Sequence, residues 1–98
     1  MASADIRRRF VVTGQVQGVG FRPFIFRLAE ELTLSGTVCN TPEGVVIEVQ
    51  GQPRQLDLFG QRLETEQPPL ARILRVSVQE TAMQPEAKGF CICKSTGG

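Results

Sequence analysis

Histidine, tryptophan and tyrosine are absent from this 98-residue chain, and six phenylalanines are its only aromatics. Without histidine, the commonest general base and the commonest neutral metal ligand are both missing. Three cysteines, Cys39, Cys91 and Cys93, make an odd number and hence no paired disulfide framework. Cys91 and Cys93 form a lone C-x-C, too few ligands for a closed zinc site. The reading is three reduced thiols, no metal and no cofactor. Apolar runs long enough to span a bilayer are also missing, as is the apolar core of an export signal at the N-terminus. The expectation is a soluble, cytoplasmic protein with no membrane partner.

Charge of one sign is lacking too, with eleven Lys and Arg against ten Asp and Glu. Nucleic-acid binders are usually more basic and carry aromatic stacking platforms, so no nucleic-acid partner is expected. The one basic cluster, Arg7-Arg8-Arg9, lies on a predicted strand and points to alternating faces. These arginines are expected to be solvated.

Glycines and hydrophobic periodicity organise what is present. Residues 6–13 read as a strand, followed by a glycine-rich turn and a helix expected to start at Pro23, where a missing N–H costs nothing. Ile25, Leu28, Ala29 and Leu32 recur at helical spacing. Residues 34–40 and 45–49 form a hairpin around Thr41-Pro42-Glu43-Gly44. Pro53 opens a second helix with Leu56, Phe59 and Leu63 on one face; Gly60 inside it is a weak point. Leu74, Val76 and Val78 mark a fourth strand, and residues 90–93 a short fifth at an edge. The order β-α-β-β-α-β predicts an α+β fold, the ferredoxin-like split βαβ sandwich. Its four- to five-stranded antiparallel sheet carries two helices on one face. Residues 1–93 form the domain, and 94–98 begin a linker to further domains.

This topology makes strands one and two run the same way with strand three between them. The loop after strand one and the end of strand two then emerge at one sheet edge, about 10 Å apart at ordinary strand spacing. The residues there are Arg22 and Asn40. The loop itself, Gln17, Gly18, Val19, Gly20 and Phe21, has two glycines that let backbone N–H groups converge on an anion. It runs into a helix N-terminus, which adds its own orphan donors. Arg22 supplies a planar fork that matches two phosphate oxygens. On its own the glycine pair fits a tight turn as well as an anion site, and the spacing matches neither nucleotide-binding glycine motif.

The full string Gly14-Gln15-Val16-Gln17-Gly18-Val19-Gly20-Phe21-Arg22 resembles the signature of acylphosphatases, and Gly36-Thr37-Val38-Cys39-Asn40-Thr41 is similar to their second motif. The resemblance implies hydrolysis of carboxyl–phosphate anhydrides without metal. It also implies that Arg22 binds the phosphoryl group and Asn40 orients the attacking water. The backbone of Gln17, Gly18, Val19, Gly20 and Phe21 would cradle the anion. Pro23-Phe24 after the arginine, Pro68-Pro69-Leu70-Ala71-Arg72-Ile73 and the closing Ser95-Thr96-Gly97-Gly98 resemble the N-terminal domain of HypF-type carbamoyltransferases. That likeness implies carbamoyl phosphate as substrate and downstream domains in the same polypeptide. It further implies a partner protein in [NiFe] hydrogenase maturation. A domain that binds carbamoyl phosphate for the larger enzyme without hydrolysing it is the alternative.

Overall fold

The computed structural model describes residues 4–16, 20–84 and 88–93. The elements are β1 (Ile6–Gln15), α1 (Phe21–Glu31), β2 (Ser35–Thr41), β3 (Gly44–Gly51), α2 (Pro53–Thr65), β4 (Arg72–Thr81) and β5 (Phe90–Ile92). They form one five-stranded sheet in the order β4-β1-β3-β2-β5. The ferredoxin-like α+β architecture is therefore as expected, with β3 between β1 and β2. The sheet is mixed rather than wholly antiparallel. β5 joins the β2 edge in parallel, with Gly36, Thr37 and Val38 opposite Phe90, Cys91 and Ile92. The chain leaves β4 at one edge and enters the sheet again at the other, so β5 runs with β2.

Alternation along the strands builds the core. Phe10 and Val12 of β1 face Ile47 and Val45 of β3, and all four are buried. Val38 of β2 joins them, and Ile25, Leu28, Leu56, Phe59 and Leu63 from the helices complete one cluster. Both helices thus cover the same sheet face. The Phe10 and Phe59 rings stand 5.3 Å apart and tilted, tying α2 to β1. Phe26 packs its ring against Phe90, so it seats β5 under α1. The β4 edge is left uncovered: Leu74 is 82% and Val78 55% exposed.

The opposite face corrects one expectation. Arg7 is not solvated; it retains 3% of its exposure. Its Nε donates to Glu48 Oε1 at 2.8 Å and its Nη1 to Gln50 Oε1 at 3.3 Å. Gln84, just after β4, lies against them. Gln50 clamps it there: its Nε2 donates to the Gln84 carbonyl at 3.0 Å and its Oε1 accepts from the Gln84 N–H at 2.9 Å. Arg8, on the helix face, pairs with Asp57 at 2.7 Å and stays partly exposed. Exposed Glu66 accepts from Arg62, which also donates to Glu31 of α1.

Candidate functional site

The site is built from the end of β1 forward. Val16 is buried at the close of β1, and Phe21 is buried at the opening of α1. These two side chains pin both ends of the intervening loop to the core. Gln17, Gly18 and Val19 of the expected cradle lie outside the described residues. Gly20 caps α1 with φ +77°, in the left-handed region that favours glycine. Its carbonyl accepts from the Phe24 N–H at 3.2 Å, which starts the helix.

α1 consequently begins at Phe21, two residues before the expected Pro23. The proline still falls in the first turn, where N–H groups have no intrahelical acceptor, so no hydrogen bond is lost. The shift matters for the site. Arg22 belongs to the first helical turn instead of a loop, and the helix dipole and first-turn N–H groups sit beside it.

Arg22 is half-buried, and its Nη1 donates to the Cys93 carbonyl at 3.3 Å. Cys93 lies just past β5, and its own N–H donates to the Val38 carbonyl of β2 at 2.8 Å. The guanidinium is therefore held against the strand pair that carries Asn40. No signal in the sequence pointed to Cys93 as this partner, because the contact depends on the parallel docking of β5.

Asn40 stands in a row across three strands: Asn40 opposite Val45, and Val45 opposite Val12. This row spans about 10 Å, the width of two strand spacings. Asn40 shares the parity of Val38, so it faces the helix layer, the side from which Arg22 projects. Gly36 sets the path of β2 toward this point. Its φ is +144°, and a Cβ there would collide with the Glu48 carbonyl. Arg22 is thus tied through Cys93 and Val38 to the strand that carries Asn40, and the expected β1–β2 relationship, with β3 between them, holds.

Chemically, the arrangement offers a fork of fixed cationic donors, a helix N-terminus and a neutral amide. A carboxamide both accepts and donates hydrogen bonds. Such groups can bind a small dianion and hold a water beside it. Among the described residues no cluster of three or more His, Cys, Asp or Glu side chains is found. No helix among them is long and apolar enough to cross a membrane. A separate groove of about 310 Å³ between α2 and β4 is lined by Arg8, Phe10, Leu56, Gly60, Val76 and Val78, with neither Arg22 nor Asn40 in its wall.

Two of the thiols border the site. Cys39 precedes Asn40, and its thiol is pushed up from 9.0 to about 11, first by burial and then by its hydrogen bond to the Cys93 side chain. All three cysteines are free.

The sheet order, the paired helices and the glycine-capped loop place the chain in the ferredoxin-like class of α+β domains. Within that class it belongs to the acylphosphatase family, whose profile matches residues 8–92. A carbamoyltransferase, HypF2, from Cupriavidus necator is 47% identical over 91 residues, 93% of this chain and 11% of the relative. An acylphosphatase from Koribacter versatilis is 39% identical over 95 residues, 94% of this chain and 84% of that protein. A crystal structure of full-length HypF in a phosphate- and nucleotide-bound form superposes with a TM-score of 0.89 at 36% identity, covering 97% of this chain and 13% of the other. The chain spans about a tenth of the length of the carbamoyltransferases it resembles.

Proposed function

We propose that this domain hydrolyses acyl phosphates, with Arg22 holding the phosphoryl group and Asn40 orienting the attacking water. The observation that carries the reading is the tie from Arg22 through Cys93 to the strand that carries Asn40, beside a loop pinned by Val16 and Phe21. The backbone of Gln17, Gly18, Val19, Gly20 and Phe21 supplies the cradle. Water attacks phosphorus in line, and the P–O bond to the carboxyl or carbamoyl oxygen breaks. The leaving carboxylate or carbamate is a weak base, so no strong general acid is required. Arg22 gathers the charge that builds on the equatorial oxygens, and catalysis rests on positioning and electrostatics. Asn40 accepts from the water through its side-chain carbonyl; its low basicity makes it an orienting group.

The finer reading is that the acyl phosphate is carbamoyl phosphate and that the domain works within a carbamoyltransferase of [NiFe] hydrogenase maturation, in the cytoplasm. Its partners are then downstream domains of the same polypeptide and a maturation protein. Supporting this is the 47% identity with the HypF2 carbamoyltransferase, against 39% with the free-standing acylphosphatase of Koribacter. The small share of the carbamoyltransferase that the chain represents favours one alternative, a module that binds carbamoyl phosphate for the larger enzyme. Phosphate release from acetyl phosphate and carbamoyl phosphate decides among these. Release from both supports hydrolysis, and a preference for carbamoyl phosphate supports the finer reading. Saturable binding of carbamoyl phosphate without release supports the module. No binding of either substrate refutes all three.

A further inference from the structure

The side chains of Cys39 and Cys93 have no role in the proposed hydrolysis, yet the fold sets them side by side. The parallel register pairs Val38 with Ile92, so Cys39 and Cys93 are the next residue on each chain, and the Cys93 N–H is bonded to the Val38 carbonyl at 2.8 Å. Both cysteines are free and keep partial access to solvent. Adjacent strands place Cα atoms about 4.8 Å apart, inside the span of roughly 4.4–6.8 Å that a disulfide bridges.

We infer that Cys39 and Cys93 are an oxidisable dithiol whose disulfide weakens the phosphoryl site between Arg22 and Asn40. The effect on the site rests on the reading of Arg22 and Asn40 given above. Neighbouring strands lie about 4.8 Å apart, whereas a disulfide holds its Cβ atoms at about 3.8 Å. Closing the bond draws the end of β5 toward β2. The Cys93 carbonyl that receives Arg22 moves with it, as does the peptide leading into Asn40. A displacement of about 1 Å at a positioned group can cost on the order of 10²-fold in rate.

A peroxide serves as the oxidant. Either thiol can attack first, with the same balance. Where Cys93 leads, its sulfur takes one peroxide oxygen, giving a sulfenic acid and water. The Cys39 sulfur then attacks the sulfenic sulfur, forms the S–S bond and releases a second water. Across both steps two thiols and one hydrogen peroxide give one disulfide and two waters. Cys91 lies opposite Thr37 on β2, with no thiol facing it across the pair.

The test treats the natively folded chain, Cys39→Ser and Cys91→Ser with hydrogen peroxide. Intact mass and peptide mapping read the bond. Inorganic-phosphate affinity and acyl-phosphate hydrolysis read the site. Expected for the natural sequence and for Cys91→Ser are loss of two hydrogens, a Cys39–Cys93 peptide pair, and at least a tenfold drop in both site readouts, restored by dithiothreitol. Cys39→Ser should form no such bond and keep its phosphate affinity. A bridge through Cys91, no bridge at all, or a Cys39–Cys93 bond with unchanged phosphate affinity would overturn the inference. A protein that shows the bond and the affinity loss but hydrolyses no acyl phosphate even when reduced refutes the hydrolase reading and leaves the dithiol standing.

Discussion

Arg22 and Cys93 lie 71 positions apart, and Nη1 of the first donates to the carbonyl oxygen of the second at 3.3 Å. The bond joins the first turn of α1 to the end of the last strand. It uses one guanidinium nitrogen and leaves the remaining fork geometry for an anion. Replacement of Arg22 by alanine should lower kcat for an acyl phosphate by about 10²–10³-fold, the scale for loss of one transition-state donor. Arg22→Lys should restore little, since an ammonium is a point charge without the planar fork. Phosphate-release kinetics on both variants check this.

Two glycines should respond oppositely to the same added methyl. At Gly36, alanine meets the Glu48 backbone and a φ of +144°, so the β2–β3 pairing must give way. A loss above about 3 kcal/mol is expected, visible as a large drop in the urea midpoint. At Gly60, inside α2, an added Cβ comes to 3.4 Å from the Phe10 ring, an ordinary contact. Gly60→Ala should stabilise by up to about 1 kcal/mol through helix propensity.

The Arg7 pairing should outweigh that of Arg8. Arg7 is buried with Glu48 and Gln50, so Arg7→Ala strands polar partners and removes a packed stem. A destabilisation of about 2–3 kcal/mol is expected by urea melts, given that Glu48 retains some solvent access. Arg7→Met, which keeps the stem, should lose less. Arg8→Ala breaks the exposed pair with Asp57 and should cost under about 1 kcal/mol.

Alkaline pH should reveal the Cys39 environment. The thiol ionises near 9.0 when unfolded and at about 11 in the native state. Its contribution is full below pH 9, and stability then falls as pH rises from 9 toward 11, because only the unfolded chain releases the proton there. The difference in chemical-denaturation stability between the natural sequence and Cys39→Ser should change across that window and be flat below it.

Much of this architecture was legible from hydrophobic spacing. Ile25, Leu28 and Ala29 form the buried stripe of α1, and Val45, Ile47 and Val49 the core face of β3. The glycine loop, the asparagine near the end of a strand and the crossover between them single out Arg22 and Asn40 as the proposed pair. Three things were not legible. Arg7 reads as a surface cation because its burial depends on Glu48, Gln50 and Gln84, the last two paired across 34 positions. The parallel direction of β5 depends on which edge the chain reaches after β4, and three residues carry too little pattern to say. The start of α1 at Phe21 follows from the Gly20 cap, while proline draws a sequence reader two residues too far.

The central claim is that Asn40 orients a water against a phosphoryl group held by Arg22. The most direct test measures Asn40→Ala in two ways: hydrolysis of acetyl phosphate and carbamoyl phosphate, and affinity for inorganic phosphate. Loss of turnover to background with phosphate affinity within about threefold of the natural sequence (under 1 kcal/mol) is the predicted result. Unimpaired hydrolysis by the alanine variant would contradict the account.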